Sequence, residues 1–343
     1  MSTSPSPTSQ AVLVAGGAGY IGSHTCKVLK QSGMTPIVLD NLSTGNNWAL
    51  QFGPFYQGEI SDAALVDRIA KEHHPVGAIL FAGSINVGES TGNPRKYFQN
   101  NITEAIAFLD NLNDSGIRNV VFSSSCAIYG IQEKMPIHED SSTNPLNPYA
   151  ETKLLIERVL RWYDSAYSMK HACLRYFNAA GADPVDKIGE HHDPETHLIP
   201  LIVYAALGAA KGGKPLRVFG TDYATPDGTA IRDYIHVLDL ADGHVRALRH
   251  LIGGGDSLAL NLGTGIGLSV REVIQAVERI SGLTVPIEYG PRRDGDAPAL
   301  VSDPRRVRAA LGWEPKFSDI DTIVRTAWNW HKNVEPEVTT GGR

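Results

Sequence analysis

The sequence predicts an α/β protein built around a doubly wound parallel sheet, followed by a smaller α/β lobe. Short apolar runs alternate with stretches whose apolar residues recur at helical spacing, which is typical of parallel strands joined by crossover helices. The runs lie at residues 11–15, 37–39, 78–81, 120–123 and 172–176. The first run ends in a glycine cluster and the second at Asp40. This order is typical of a Rossmann-type sheet, whose ligands bind beyond the carboxyl ends of the strands.

We expect two lobes, because 343 residues exceed the usual size of one domain. The main lobe is predicted at residues 11–180. Longer loops follow, and they indicate a smaller lobe at residues 181–335 that binds the substrate. Strands predicted near residues 231–237 and 258–262 are expected to return to the main lobe. Ser269-Val270-Arg271-Glu272 reads as a capping box that opens a helix running to about Ile280.

The composition is that of an ordinary globular protein, with 42% hydrophobic and 20% charged residues. A net charge of -6 argues against a nucleic-acid partner. No run approaches the roughly 18 apolar residues of a membrane span. The three cysteines have no metal-ligand or CxxC spacing, which favours a reducing, cytoplasmic location. Residues 1–10 and 336–343 read as a disordered tail and a polar tail.

A glycine-rich turn stands between the first strand and the first helix. Gly16, Gly19 and Gly22 let the main chain approach a pyrophosphate, and the start of the helix supplies free N–H groups. Asp40 follows at the end of the second strand. A carboxylate there accepts hydrogen bonds from ribose hydroxyls and repels a 2'-phosphate, which favours NAD over NADP. The alternative is that Asp40 only starts a turn with Asn41.

Tyr149 and Lys153 lie four residues apart, so a helix stacks them on one face. A tyrosine has a pKa of about 10, and we expect the nearby ammonium to lower it enough for acid–base chemistry. The strand at residues 120–123 is followed by the hydroxyl side chains of Ser124 and Ser125, at the edge of the sheet. Ser125 is the predicted partner of the reacting oxygen, with Ser124 as the alternative.

The chain resembles the extended short-chain dehydrogenase/reductases, and among them the UDP-sugar 4-epimerases. The resemblance is carried by the glycine turn, by the serines at residues 123–125, by the pair Tyr149 and Lys153, and by residues 174–178 and 227–237. The likeness runs from about residue 11 to residue 331 and is most specific around Arg232. It implies an enzyme with tightly held NAD, a UDP-sugar substrate and a homodimer. The implied reaction interconverts UDP-galactose and UDP-glucose by transient oxidation at C4 to a 4-keto sugar.

The resemblance also implies roles for individual residues. Tyr149 would remove the proton of the sugar's 4-hydroxyl, and Ser125 would stabilise the carbonyl oxygen. Lys153 would tune the pKa of Tyr149 and hold the nicotinamide ribose. The cofactor-binding set is Gly16, Gly19, Tyr20, Ile21, Gly22, Asp40, Asn41, Glu59, Ile60, Phe81, Ala82, Gly83, Asn100, Ser123, Tyr149, Lys153 and Tyr176. The substrate-binding set is Ser125, Asn178, Leu198, Phe219 near the uracil, Arg232 and Arg293 on the diphosphate, Asp296 and Leu300.

Four positions depart from the family pattern. Ala15 replaces a common Thr, Glu59 stands where an Asp usually contacts adenine, and Ile85 stands where some epimerases have a Lys near the cofactor phosphates. Leu300 falls where a Tyr excludes N-acetylated sugars and a smaller residue admits them. Its intermediate size leaves acceptance of UDP-N-acetylhexosamines open.

Related activities are weighed by the residues that they need. Dehydratases place an Asp-Glu pair after the catalytic hydroxyl, and UDP-glucuronate decarboxylases a Glu, whereas this chain has Cys126 and Ala127. A UDP-pentose 4-epimerase, acting on UDP-xylose and UDP-arabinose, stays open. A non-catalytic NAD-binding regulator would have no reason to keep Tyr149, Lys153 and Ser125 together.

The histidines His191, His192 and His197 lie in an acidic stretch with Glu190, Asp193 and Glu195. Hydride transfer of this kind needs no metal. We therefore expect a solvated polar loop and no metal ion.

Overall fold

The computed structural model describes residues 9–209, 212–293 and 296–333. Its main sheet has seven parallel strands in the order β10-β6-β5-β4-β1-β2-β3. The strands are β1 (Ala11–Ala15), β2 (Thr35–Asp40), β3 (Phe55–Gln57), β4 (Ala78–Leu80), β5 (Asn119–Ser125), β6 (Lys170–Tyr176), β7 (Asn178–Ala180), β8 (Leu216–Phe219), β9 (Ile231–His236), β10 (Leu258–Leu262), β11 (Gly267–Ser269), β12 (Ile287–Gly290) and β13 (Ala299–Leu300).

Helices cover both faces of the main sheet, which confirms the predicted Rossmann-type fold. The helices are α1 (Tyr20–Gln31), α2 (Ala63–His73), α3 (Val87–Gly92), α4 (Pro94–Phe98), α5 (Glu104–Asp114), α6 (Pro148–Tyr167), α7 (Leu198–Ala209), α8 (Val237–Ile252), α9 (Val270–Ser281), α10 (Arg305–Leu311) and α11 (Ile320–Asn333). Side chains alternate along β1, so Leu13 packs with α2, α5 and α6, while Val12 and Val14 pack with α1 and α8. The apolar strands are therefore buried on both sides.

The remaining strands form a separate small sheet and a two-stranded pair. β9 lies between antiparallel β11 and parallel β13 and also pairs with β7, while β8 pairs with β12. The strand near residues 231–237, expected to return to the main lobe, pairs in the small sheet and not in the main one. β10, at residues 258–262, does lie at the edge of the main sheet beside β6. Helices α7, α9 and α11 share a third apolar core with these strands.

Local signals set several boundaries. The predicted capping box is present, since Ser269 caps α9 and Glu272 returns a hydrogen bond to it. Helix α6 begins with the cap Asn147 and with Pro148 at its first position. Cys26, Cys126 and Cys173 are buried and unpaired. Within the described ranges, no helix combines the length and the apolarity that a membrane span requires.

The expected tails at residues 1–10 and 336–343 fall almost wholly outside the described residues. Only Ser9 and Gln10 are described, and both are exposed. The division into two lobes near residue 180 stays a prediction.

Candidate active site

A cleft of about 1050 Å³ runs along the carboxyl ends of the main-sheet strands and continues to the small sheet. It is lined by every residue of the predicted cofactor-binding and substrate-binding sets. These residues meet because the carboxyl ends of parallel strands share one edge of the sheet. The structure thus brings the whole predicted site together, and the binding role of each residue stays a prediction.

The glycine turn requires glycine at two positions, because its backbone packs closely against neighbouring backbone there. Gly16 has a φ of 83°, and a Cβ there would lie 2.6 Å from the backbone N of Ala82. A Cβ on Gly22 would lie 2.2 Å from the carbonyl oxygen of Gly16. Helix α1 starts after Gly19 without a side-chain cap or an acidic residue in its first turn. Its N–H groups and its positive dipole end therefore face the cleft.

Asp40 lies at the end of β2 and is 7% exposed. Its carboxylate accepts hydrogen bonds from the N–H of Ala18 at 2.9 Å and of Leu42 at 2.8 Å. Burial raises the pKa of Asp40, and both N–H groups favour its charged form. Asp40 thus forms the turn and also lines the cleft, and its contact with a ribose stays a prediction. Beside it, Asn41 donates to Glu59 at 3.0 Å.

The loop after β4 is fixed by a residue that the sequence analysis missed. Asn101 is buried, accepts from the N–H of Ser84 at 2.7 Å and donates to the Ser84 carbonyl at 2.9 Å. It also donates to Thr152 of α6 at 3.2 Å. One turn of π-helix, Gln99–Thr103, turns Asn101 inward, while Asn100 lines the cleft and donates to the Ser84 hydroxyl at 3.0 Å.

The predicted catalytic residues meet at the end of β5. Ser125 faces Tyr149, and its hydroxyl favours the phenolate through a hydrogen bond. The Lys153 ammonium lies 5.8 Å from the centre of the Tyr149 ring and donates to the Ser123 carbonyl at 2.8 Å. Ser124 is fully buried and donates to Glu157 of α6 at 2.6 Å. Ser125 is therefore the hydroxyl on the cleft side.

The pKa of Tyr149 is raised, contrary to the expected lowering. Burial raises the pKa of this phenol to about 12, and the Ser125 hydroxyl offsets only part of that effect. Burial also lowers the pKa of Lys153 to about 8, so that its ammonium persists at neutral pH. The physical reason is desolvation, which disfavours the charged form of both groups.

Tyr176 completes the floor of the cleft beside these groups. Its hydroxyl hydrogen-bonds the hydroxyl of Ser123. Burial raises the pKa of Tyr176, so it remains a neutral phenol. The pair ties the ends of β5 and β6 together under the predicted cofactor site.

The other end of the cleft carries two arginines and an aromatic ring. Arg293 lies over the Phe219 ring, with 4.1 Å between the guanidinium carbon and the ring centre. Arg232 is held by Asp296 at 2.6 Å and by the carbonyls of Ile231 and Ala297, each at 2.8 Å. Asp296 thus orients the guanidinium of Arg232. Guanidinium groups held in this way suit a diphosphate.

Three further predicted substrate residues line the middle of the cleft. Asn178 starts β7 and donates to the Asp233 carbonyl at 3.0 Å, so its amide is positioned by the small sheet. Leu198 opens α7. Leu300 packs against the core cluster that contains Cys126 and Phe177, next to the cleft.

The stretch that carries the histidines, hereafter the 190–197 loop, is solvated only in part. The side chains of Glu190 and Glu195 are only 4% and 7% exposed. The Trp330 indole donates to the Glu190 carbonyl at 2.7 Å and covers this side of the loop. The expectation of a solvated loop holds for Asp193, Pro194 and Thr196, which are exposed, and is wrong for the carboxylates of Glu190 and Glu195.

A family model for the NAD dependent epimerase/dehydratase family matches residues 12–263. The chain belongs to this family. The UDP-glucose 4-epimerase of Rhizobium leguminosarum bv. trifolii is 48% identical over 322 residues, which cover 94% of this chain and 97% of that protein. The solved structure of the UDP-glucose 4-epimerase from Brucella ovis in complex with NAD has a TM-score of 0.91 and 48% identity, and the match covers 94% and 99% of the two chains.

A second solved structure, of the UDP-glucose-4-epimerase from Stenotrophomonas maltophila with bound NAD and formylated UDP-arabinopyranose, has a TM-score of 0.90 and 39% identity. That match covers 94% of this chain and 98% of the other. As in other members of an NAD-dependent family, the cofactor is NAD. The residues present fit it, since the glycine turn and the uncapped start of α1 line the cleft and Asp40 presents a carboxylate to it.

Proposed function

We propose that the protein is a UDP-sugar 4-epimerase that interconverts UDP-galactose and UDP-glucose with bound NAD. The observation that carries this proposal is the meeting of Tyr149, Lys153 and Ser125 beside the glycine turn, in one cleft with Arg232 and Phe219. The relatives named above as UDP-glucose 4-epimerases support the choice of reaction. Neither Cys126 nor Ala127, which line the same cleft, can supply the acid and base of a dehydratase.

In this reaction Tyr149 takes the proton of the sugar's 4-hydroxyl and later returns it to the same oxygen. When bound, NAD supplies the acceptor, and then the donor, of the hydride at C4. Ser125 hydrogen-bonds the oxygen of the transient 4-keto sugar and stabilises its partial charge. Because burial raises the pKa of Tyr149, its phenolate depends on groups that favour the negative charge, and the Ser125 hydroxyl is one of them. The ammonium of Lys153, one helical turn away and 5.8 Å from the ring centre, would add to this once the substrate is bound.

The far end of the cleft would hold the uridine diphosphate. Arg232 and Arg293 would bind the phosphate oxygens, and the ring of Phe219 would stack against the uracil. Asp296 keeps the Arg232 guanidinium in place with an ion pair of 2.6 Å. Holding the nucleotide in this way leaves the sugar free to turn over between the two hydride transfers.

The experiment is conversion of UDP-galactose by the purified protein without added cofactor, with the products separated by chromatography. We expect UDP-glucose to form, and we expect the protein to release NAD on denaturation. A protein that carries NAD but converts no UDP-sugar would contradict the proposal. Initial rates on UDP-N-acetylgalactosamine and UDP-arabinose complete the test. If either compound is converted faster than UDP-galactose, that compound takes its place as the proposed substrate.

A homodimer formed through α5 and α6 is part of the proposal. It is supported by aromatic residues on the outer surface of α6, where Trp162 is 75% exposed and Tyr167 is 47% exposed. Such residues are enriched at protein interfaces. Light scattering should give twice the chain mass, and Trp162→Glu should give the single chain mass. A wild-type protein that is monomeric at micromolar concentration would argue against this assembly.

We also place the protein in the cytoplasm. The three buried, unpaired cysteines support a reducing compartment. Cell fractionation followed by immunodetection checks this, and recovery outside the cytoplasmic fraction would contradict it.

A further inference from the structure

Four side chains of the 190–197 loop converge on one point in the wall of the cleft. One ligand atom from each of Glu190, His192, Glu195 and His197 lies within 4.8 Å of all the others. His197 Nδ1 is 2.9 Å from Glu190 Oε1 and 2.9 Å from Glu195 Oε1. His192 Nδ1 is 3.4 Å from Glu190 Oε1 and 3.6 Å from Glu195 Oε2. Around a tetrahedral zinc ion with bonds of about 2.0–2.2 Å, ligand atoms stand roughly 3.3 to 3.6 Å apart.

Two atoms of this cluster lack a hydrogen-bond partner. His192 Nδ1 and Glu195 Oε2 are both buried, and neither makes a hydrogen bond to any residue that the structure describes. The Glu195 side chain is 7% exposed, and its free oxygen points at the ring of His192. Buried polar atoms are nearly always satisfied, so an unpaired nitrogen and oxygen that face each other indicate a missing ligand.

The two carboxylates of the cluster need positive charge beside them, which a bound cation or the two histidines can supply. Glu190 and Glu195 place two buried carboxylates close together, and among the described residues only His192 and His197 form ion pairs with them. Buried carboxylates repel each other unless positive charge lies between them.

The surrounding structure holds these side chains in place. Glu195 Oε1 accepts from the N–H of Thr196 at 2.7 Å and from that of His197 at 2.8 Å. The ring of His192 packs edge-on against Tyr20, with centroids 6.4 Å apart. Outer contacts of this kind orient metal ligands. His191, the neighbour of His192, instead packs near Trp48 and is outside the cluster.

We propose that Glu190, His192, Glu195 and His197 form a binding site for a divalent transition metal ion, with Zn²⁺ the best match. Two imidazole nitrogens and two carboxylate oxygens suit four-coordinate zinc, whereas Ca²⁺ and Mg²⁺ prefer six or more oxygen ligands. Four protein ligands close the coordination shell, so the ion is structural and does not take part in the hydride chemistry.

The ion would tie the loop between β7 and α7 to the cofactor side of the cleft. His197 directly precedes Leu198, which lines the proposed substrate site, and His192 packs on Tyr20 of the glycine turn. Tyr20 in turn donates from its hydroxyl to the Gly181 carbonyl at 2.6 Å. The metal site therefore positions the walls of the cleft, and its existence does not depend on the proposed epimerase activity.

The test uses the untagged full-length protein, stripped of metal with a chelator and titrated with Co²⁺ and, separately, with Zn²⁺. We expect one Co²⁺ per chain with the strong visible absorption of a tetrahedral ion, and a higher unfolding temperature with Zn²⁺. His192→Gln should weaken Co²⁺ binding by at least roughly 100-fold, since losing an outer partner alone costs about 10- to 100-fold. The matched control His191→Gln should bind like the wild type.

The proposal is overturned if the stripped wild type shows no tetrahedral Co²⁺ spectrum and no thermal shift with Zn²⁺. It is equally overturned if His191→Gln and His192→Gln lose the ion to the same extent. If His192→Gln fails to fold, Glu195→Gln takes its place. The titration of the stripped wild type with Co²⁺ and Zn²⁺ still decides whether the site exists. Because metal binding is read directly, a missing ion and a missing epimerase activity are separate results.

Discussion

Removal of the Glu157 carboxylate tests how the end of β5 is held. Glu157 accepts from Ser124 Oγ at 2.6 Å, from Arg175 Nε at 2.9 Å and from Arg175 Nη2 at 2.6 Å. Its side chain is 5% exposed and that of Arg175 is 10% exposed. Tyr149, Lys153 and Glu157 recur every four residues on α6, so this carboxylate extends the catalytic face of the helix.

We expect Glu157→Ala to lower the free energy of unfolding by about 3–5 kcal/mol, because it leaves a buried guanidinium without its counter-charge. Arg175 keeps hydrogen bonds to the Tyr129 hydroxyl at 2.9 Å and the Glu139 carbonyl at 3.1 Å, which favours the lower end of that range. The double variant Glu157→Leu, Arg175→Met removes both charges and should recover most of the loss.

The assay is urea unfolding followed by tryptophan fluorescence at a fixed NAD concentration, because bound ligand adds to stability. Arg158→Ala, an exposed change on the same helix, is the control and should shift stability by no more than about 0.5 kcal/mol. A loss below about 1 kcal/mol in Glu157→Ala would refute the reasoning. So would a double variant as unstable as the single one.

Three further predictions concern the site and the core. Ser125→Ala should lower kcat by about 100-fold with little change in KM, because it removes a donor to the reacting oxygen, and steady-state rates on UDP-galactose check this. Asp40→Ser should reduce the preference for NAD over NADP in fluorescence titrations, and an unchanged preference would remove Asp40 from the ribose site. Burial lowers the pKa of His24 and of His244 to about 4, so both are neutral in the folded protein. Their contribution to stability is complete above pH 6.5 and is lost as the pH falls toward 4, by about 1.4 kcal/mol per pH unit for each. His244→Phe should therefore show a shallower fall in acid-unfolding experiments, and an unchanged slope would count against a neutral His244.

Much of the fold followed from local patterns. The apolar run of Ala11–Ala15, the glycines after it and the helical spacing beyond gave strand, turn and helix, because each depends on residues near in sequence. The capping box at Ser269 is equally local. The sequence also predicted one cleft for the whole site, since residues at the carboxyl ends of parallel strands must meet at one edge.

Features set by distant contacts could not be predicted in this way. The alternation of Ile231–His236 fits a strand in either sheet, and only its pairing with β11 and β13 places it in the small one. Helical spacing brings Lys153 to Tyr149 but does not give the burial that raises the pKa of the phenol. Asn101 has no sequence feature that separates it from Asn100, because only the π-helical turn points it inward.

The acidic and basic residues of the 190–197 loop show the same limit. Their composition suggests a solvated loop, whereas Trp330, far along the chain, packs against it. Burial then turns an ordinary polar stretch into a cluster of converging ligand atoms.

The central claim is that Tyr149 exchanges a proton with the sugar while NAD stays in the cleft. The most direct measurement is the turnover of UDP-galactose by Tyr149→Phe, with the bound NAD quantified in the same sample. We predict that NAD content equals that of the wild type while kcat falls by at least about 100-fold. Wild-type turnover in this variant would contradict the account.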